Sequence, residues 1–179
     1  SGAGLTMSGR VLTRPGGAFD RAVFDSLRIG SWLNVSAELV SRGVGLAPAV
    51  RINGGTLDLQ GAQFGEGTGG DSPPLSVSLD RLQIAKGMAV TALNADLTTN
   101  GGLSGTFTGR VNGGTPISGK VIPQGARSAF QITASDAGGV FRDAGIIKQA
   151  HGGAMSLTLL PAPEDSSYDG TLKVTNTNV

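Results

Sequence analysis

Apolar residues recur at every second position through most of the chain. Leu33, Val35, Ala37 and Leu39 alternate with Asn34, Ser36 and Glu38, and Leu75, Val77 and Leu79 with Ser76, Ser78 and Asp80. Leu93, Ala95 and Leu97, then Phe107 and Val111, then Phe130 and Ile132 repeat the rhythm, and Leu172 and Val174 close it. A period of two puts alternate side chains on one face, the mark of a half-buried strand. Strands with one greasy and one polar face belong to antiparallel sheets. The pattern predicts roughly ten to twelve strands. Phe19, Val23 and Leu27 also fit a helical face, but Gly30 ends that run early, so it reads as strand. After Leu79 the alternation slips, and Leu82 and Ile84 rejoin the same face only through a bulge.

One stretch has another rhythm. Val140, Phe141, Ala144 and Ile147 recur at helical spacing within 136–151. Asp136 is placed to cap this helix, and Gly152-Gly153 to end it. Met155, Leu157 and Leu159 then restart the strand pattern. Asn53-Gly54-Gly55 and Asn112-Gly113-Gly114 read as turns, and 61–74, rich in glycine and ending in two prolines, as a flexible loop. Residues 1–179 form one segment of a single β domain, read as internal to a longer chain.

Composition sharpens this picture. Thirty glycines against eight aromatic residues leave few large groups to fill the space between two packed sheets. Gly105, Gly109, Gly119, Ala37 and Ala95 fall on inward positions. The fold class expected is therefore all-β with one short helix: an antiparallel, strongly twisted sheet curled into an open groove or trough. The alternative is a closed β-sandwich, an interaction or adhesion module with no ligand.

Charge and chemistry narrow the function. Fourteen basic and thirteen acidic residues give a net charge of +1 without a basic run, which argues against nucleic acid. There is no cysteine and a single histidine, so no metal site is expected. Gly65-Glu66-Gly67-Thr68-Gly69-Gly70 spells G-x-G-x-x-G, yet prolines and a strand follow where a dinucleotide site needs a helix. Gly114 to Lys120 nearly spells a phosphate loop, but Val121 stands where a hydroxyl is needed and Pro116 removes a donor. His151 suits a helix C-terminus, Asp143 a solvated helix position, and Glu164 and Asp165 a loop. Trp32 reads as a core or rim residue, and the Asn34-Val35-Ser36 sequon sits mid-strand. No catalytic residue, no cofactor and no enzyme activity is expected.

The pieces LSVSLDRLQI (75–84), ALNADLTTNGGLSGTFTGRVNGGTPISGKVIPQ (92–124), SDAGGVFRDAGIIKQAHGGAMSLTLL (135–160) and YDGTLKV (168–174) resemble the AsmA-like family of bacterial envelope proteins, nearest its YhdP-type branch. The resemblance implies a periplasmic segment of a protein anchored in the inner membrane. Its β-groove would shield phospholipid acyl chains between the inner and outer membranes, supporting outer-membrane biogenesis and integrity. Its partners would be phospholipid and neighbouring β-segments of the same longer chain. The lipid-contacting residues expected on this reading are Leu75, Val77, Leu79, Leu97, Phe107, Val111, Phe130, Ile132, Leu157, Leu159, Leu172 and Val174. Val140, Phe141, Ala144 and Ile147 would flank the groove.

Overall fold

A computed structural model describes residues 4–61, 73–99, 102–125, 127–164 and 167–178. The strands are β1 (Leu5–Thr13), β2 (Phe19–Ile29), β3 (Leu33–Val40), β4 (Ala49–Asp58), β5 (Leu75–Ala85), β6 (Met88–Thr98), β7 (Ser104–Val111), β8 (Pro116–Gln124), β9 (Arg127–Ala134), β10 (Ala154–Pro161) and β11 (Tyr168–Thr175), with one helix, α1 (Ala137–Asp143), between β9 and β10. They form a single eleven-stranded sheet in strict sequence order, β1 to β11. The sheet is open, because β1 and β11 are its edges and do not pair with each other. Among the described residues no second sheet packs upon it, so they form an open single sheet rather than a closed sandwich.

All neighbouring strands are antiparallel except β4 and β5, which run the same way. A parallel step needs a connection long enough to travel back along the sheet. The chain between Asp58 and Leu75 provides it; most of the loop expected at 61–74, with the G-x-G-x-x-G run, lies outside the described residues.

The pairing carries the apolar face across the whole sheet. One rung runs Val11, Ala22, Leu39, Val50, Leu75, Leu97, Gly105, Val121, Phe130, Leu159, Gly170 from edge to edge. The next runs Gly9, Phe24, Ala37, Ile52, Val77, Ala95, Phe107, Gly119, Ile132, Leu157, Leu172. The intervening rungs are polar, among them Asn53, Ser78, Asn94, Thr108, Ser118, Thr133, Ser156 and Lys173.

Four strands shift parity on the way. Register shifts fall at Asp25 and Ser26 in β2, at Gly54 in β4 and at Ala92 in β6, and Asp80 of β5 drops out of the ladder beside them without a change of register. The rest of each strand turns over there, so that Leu27, Leu57, Leu82 and Val90 rejoin the apolar side. Two residues in this line have left-handed backbone, Gly54 (φ 116°) and Ala92 (φ 47°). Polar groups stitch it together. Ser36 Oγ donates to the Asn53 carbonyl at 2.9 Å, and Gly55 N–H donates to Asp80 Oδ2 at 2.8 Å. Asn53-Gly54-Gly55 is therefore not a turn. β4 runs straight through it, because a bulge uses the same glycine freedom that a turn does.

Candidate functional site: the apolar face and its helix

The helix is shorter than its sequence pattern suggests. It spans Ala137–Asp143, not 136–151. Asp136 caps it as expected, its carboxylate accepting from Gly139 N–H at 2.8 Å. Termination falls to Gly145 (φ 72°): Gly145 N–H donates to the Arg142 carbonyl and Ile146 N–H to the Phe141 carbonyl, the paired bonds of a Schellman ending.

Gly152 and Gly153 act at the opposite end from the one expected. Their carbonyls accept from the N–H groups of Gly138 and Ala137, both at 2.9 Å. Three of the first-turn donors are thus satisfied, two by the chain that returns into β10 and one by Asp136. His151 is accordingly not at the helix C-terminus. Its backbone lies against the first turn, where a Cβ on Gly138 would come within 2.5 Å of His151 Cα. Its backbone also bridges to Asn178, and Arg142 lies 3.2 Å from Nδ1.

Asp143 is not a free solvated position either. Its carboxylate accepts from both the N–H and the hydroxyl of Thr115, each at 2.6 Å. The Asp143 carbonyl accepts from Asn112 Nδ2, which also donates to the Gly87 carbonyl, while Asn112 Oδ1 accepts from Ala89 N–H. Helix, β7–β8 turn and β5–β6 turn are thereby clamped at one end of the sheet. The Thr115 hydroxyl, then its N–H, then the nearby Arg142 charge hold the Asp143 carboxyl below its ordinary range against an opposing effect of burial. A Cβ on Gly114 would strike the Asp143 carboxylate at 2.2 Å, so this turn needs glycine for close approach.

The clamped end is packed. Val35, Leu79, Val90, Leu93, Val111, Ile117, Ala134 and Met155 form one cluster with Ala137 and Val140 of the helix. Phe141 and Ala144 pack on it, and Ile147, half-buried just beyond the helix, returns its N–H to the Phe141 carbonyl. Of the expected helical stripe, Val140 and Phe141 lie in the helix, Ala144 is its C-cap residue, and Ile147 lies beyond it in the chain reversal. The expected contact residues divide accordingly. Leu79 (4% exposed) and Val111 (7%) belong to the packed end. Val77, Phe107, Ile132, Leu157 and Val174 are half-buried and pack on that cluster; Leu75, Leu97, Phe130 and Leu159 are half-buried outside it, and Leu172 is half-exposed on the edge strand. Among the described residues, no large side chain is fully buried.

Phe130 stacks edge-on to Tyr168 with ring centroids 5.8 Å apart, and the Arg127 guanidinium lies 4.8 Å from the Tyr168 ring centre. Arg127 also donates to the carbonyls of Ala162 and Ser167, tying down the β10–β11 loop. Sequence reading missed Arg127 and Tyr168, since nothing local marks a guanidinium that will serve a loop some forty residues on. Glu164 lies exposed in that loop, and Asp165 falls outside the described residues. The near-phosphate loop, Gly114 to Lys120, is a hairpin leading into β8, and Trp32 sits half-buried in the β2–β3 turn.

Two concavities open on the polar side, along the line of bulges. One of about 390 Å³ is lined by Asn53, Ser78, Asp80 and Asn94 among others. The other, about 760 Å³, runs from Thr108, Arg110, Ser118 and Thr133 over Pro116, Ile117, Ala134 and Met155, and its wall is mostly apolar. Neither marks a charged or nucleophilic constellation. Among the described residues, no three of His, Asp and Glu gather where they could hold a metal. Among the described residues, no helix is long and apolar enough to cross a membrane. No family model matches the chain, and neither the curated proteins nor the solved structures give a match.

Proposed function

We propose that this chain is a non-catalytic lipid-binding segment whose apolar face shelters phospholipid acyl chains from water. The observation that carries the reading is the apolar rung from Val11 to Gly170, on which no second sheet packs among the described residues. Covering each methylene of a hydrocarbon guest is worth about 0.8 kcal/mol, so a one-sided floor of Leu, Val, Ile and Phe can hold a chain without any specific pocket. Contacts of that kind are non-directional and let the guest slide. The half-buried residues Leu75, Leu97, Phe107, Phe130, Ile132 and Leu157 form the receiving surface, and the helix cluster closes one end. On the resemblance to AsmA-like envelope proteins, the setting proposed for this activity is the periplasm, between two membranes, within a longer protein anchored in the inner one.

The test is native mass spectrometry after incubation with vesicles of phosphatidylethanolamine and phosphatidylglycerol. Bound phospholipid is expected on the unmodified chain. A chain carrying both Phe107→Asp and Leu157→Asp should keep its β circular-dichroism spectrum and emerge empty. A wild-type chain that stays empty under the same conditions overturns the proposal.

A further inference from the structure

We propose that β1 of one copy pairs with β11 of a second copy, joining two sheets head to tail into one longer sheet. Strand direction is the first argument. Of the ten neighbour pairs only β4–β5 is parallel, which leaves nine reversals between the two edges. An odd number of reversals makes β11 run opposite to β1. Had every pair been antiparallel, the two edges would run the same way, and copies stacked in one orientation would meet with parallel edges. The single parallel step converts that meeting into the antiparallel pairing found elsewhere in the sheet.

Exposure is the second argument. Every residue of β1 is exposed, as are seven of the eight in β11. Natural edge strands are usually shielded by proline, by inward charges or by a covering element. β1 has none of these, and presents Met7 (52% exposed) and Val11 (66%) on the apolar side.

Complementarity is the third. When Met7 is set opposite Leu172, Val11 falls opposite Tyr168, Leu5 opposite Val174, and the polar-side Arg10 opposite Asp169. Arg10 and Asp169 have no ion-pair partner within their own chain among the described residues. Sliding the register by four residues in one direction instead sets Arg10 against Lys173. Opposite charges directly across a strand pair favour a register and like charges oppose it. Such a contact is heterologous, so it propagates along the sheet rather than stopping at a dimer.

Sedimentation velocity of the 179-residue chain over a hundredfold concentration range reads the association, and its weight-average coefficient is expected to rise throughout. Arg10→Asp alone and Asp169→Arg alone should each weaken association about tenfold, and the two together should restore it. Mixing a Met7→Cys variant with a Leu172→Cys variant, in a chain otherwise free of cysteine, should give the mixed disulfide on oxidation. A monomer at all concentrations, failure of the double charge reversal to rescue, or a disulfide formed by Met7→Cys with itself would each overturn the proposal. None of these readouts depends on lipid.

Discussion

The two ends of the apolar face are built from the same residue types and behave differently. Near the helix, Leu79, Val111 and Met155 are sealed by packing. Toward the far end and the edges, Leu97, Leu159 and Leu172 carry the same pattern, yet remain half-buried or exposed. Alternation alone therefore defines which side of a strand is greasy, not whether that side is covered. What covers it here is one helix of two turns, and what holds the helix is a small set of polar bonds through Asp143, Asn112 and the Gly152-Gly153 carbonyls.

The sharpest way to break this contrast is to place a charge in each region. Leu79→Asp buries a carboxylate in the packed cluster and should cost about 3–5 kcal/mol, read as loss of the cooperative urea transition or a large fall in its midpoint. Removing the clamp comes next. Asp143→Ala leaves the Thr115 N–H and hydroxyl without their acceptor and should cost about 1–3 kcal/mol, with faster amide exchange at Thr115 and in the helix. The same bond gives a pH signature. The folded Asp143 carboxyl is held below its unfolded value of 3.8. Its contribution is thus complete above that value and disappears as acid drives the pH down through the folded one. Asp143→Asn should flatten this part of the stability profile. Gly145→Ala, forcing a side chain into left-handed backbone, should cost about 1 kcal/mol, confined to the helix end. Smallest of all, Leu172→Asp on the edge strand should change stability by no more than about 0.5 kcal/mol. If it instead destabilises as much as Leu79→Asp, the contrast between the two regions is wrong.

The strands were legible because each exposes one face to water, which forces a period of two upon the sequence. The slip after Leu79 marks the point where Asp80 drops out of the ladder, although β5 keeps its register with both neighbours there. Four features were hidden. The Asn-Gly-Gly at 53–55 reads like the one at 112–114, and only the partner strands decide that the first stays in a strand while the second turns. The helix end was signalled by Gly145, but the apolar spacing of Ile147 pointed past it. The role of Asp143 was invisible because its partner is a turn some thirty residues earlier. The parallel pair β4–β5 was equally silent, since pairing direction leaves no mark on local alternation.

The carbonyls that cap the helix have a consequence for timing. A seven-residue helix is too short to persist alone in water, because its nucleation cost exceeds what so few bonds return. Two of its opening donors wait for Gly152 and Gly153, which are synthesised later than the helix itself. During synthesis the segment must therefore stay unstructured until the next strand emerges and turns back. The lid at this end is made last, from behind.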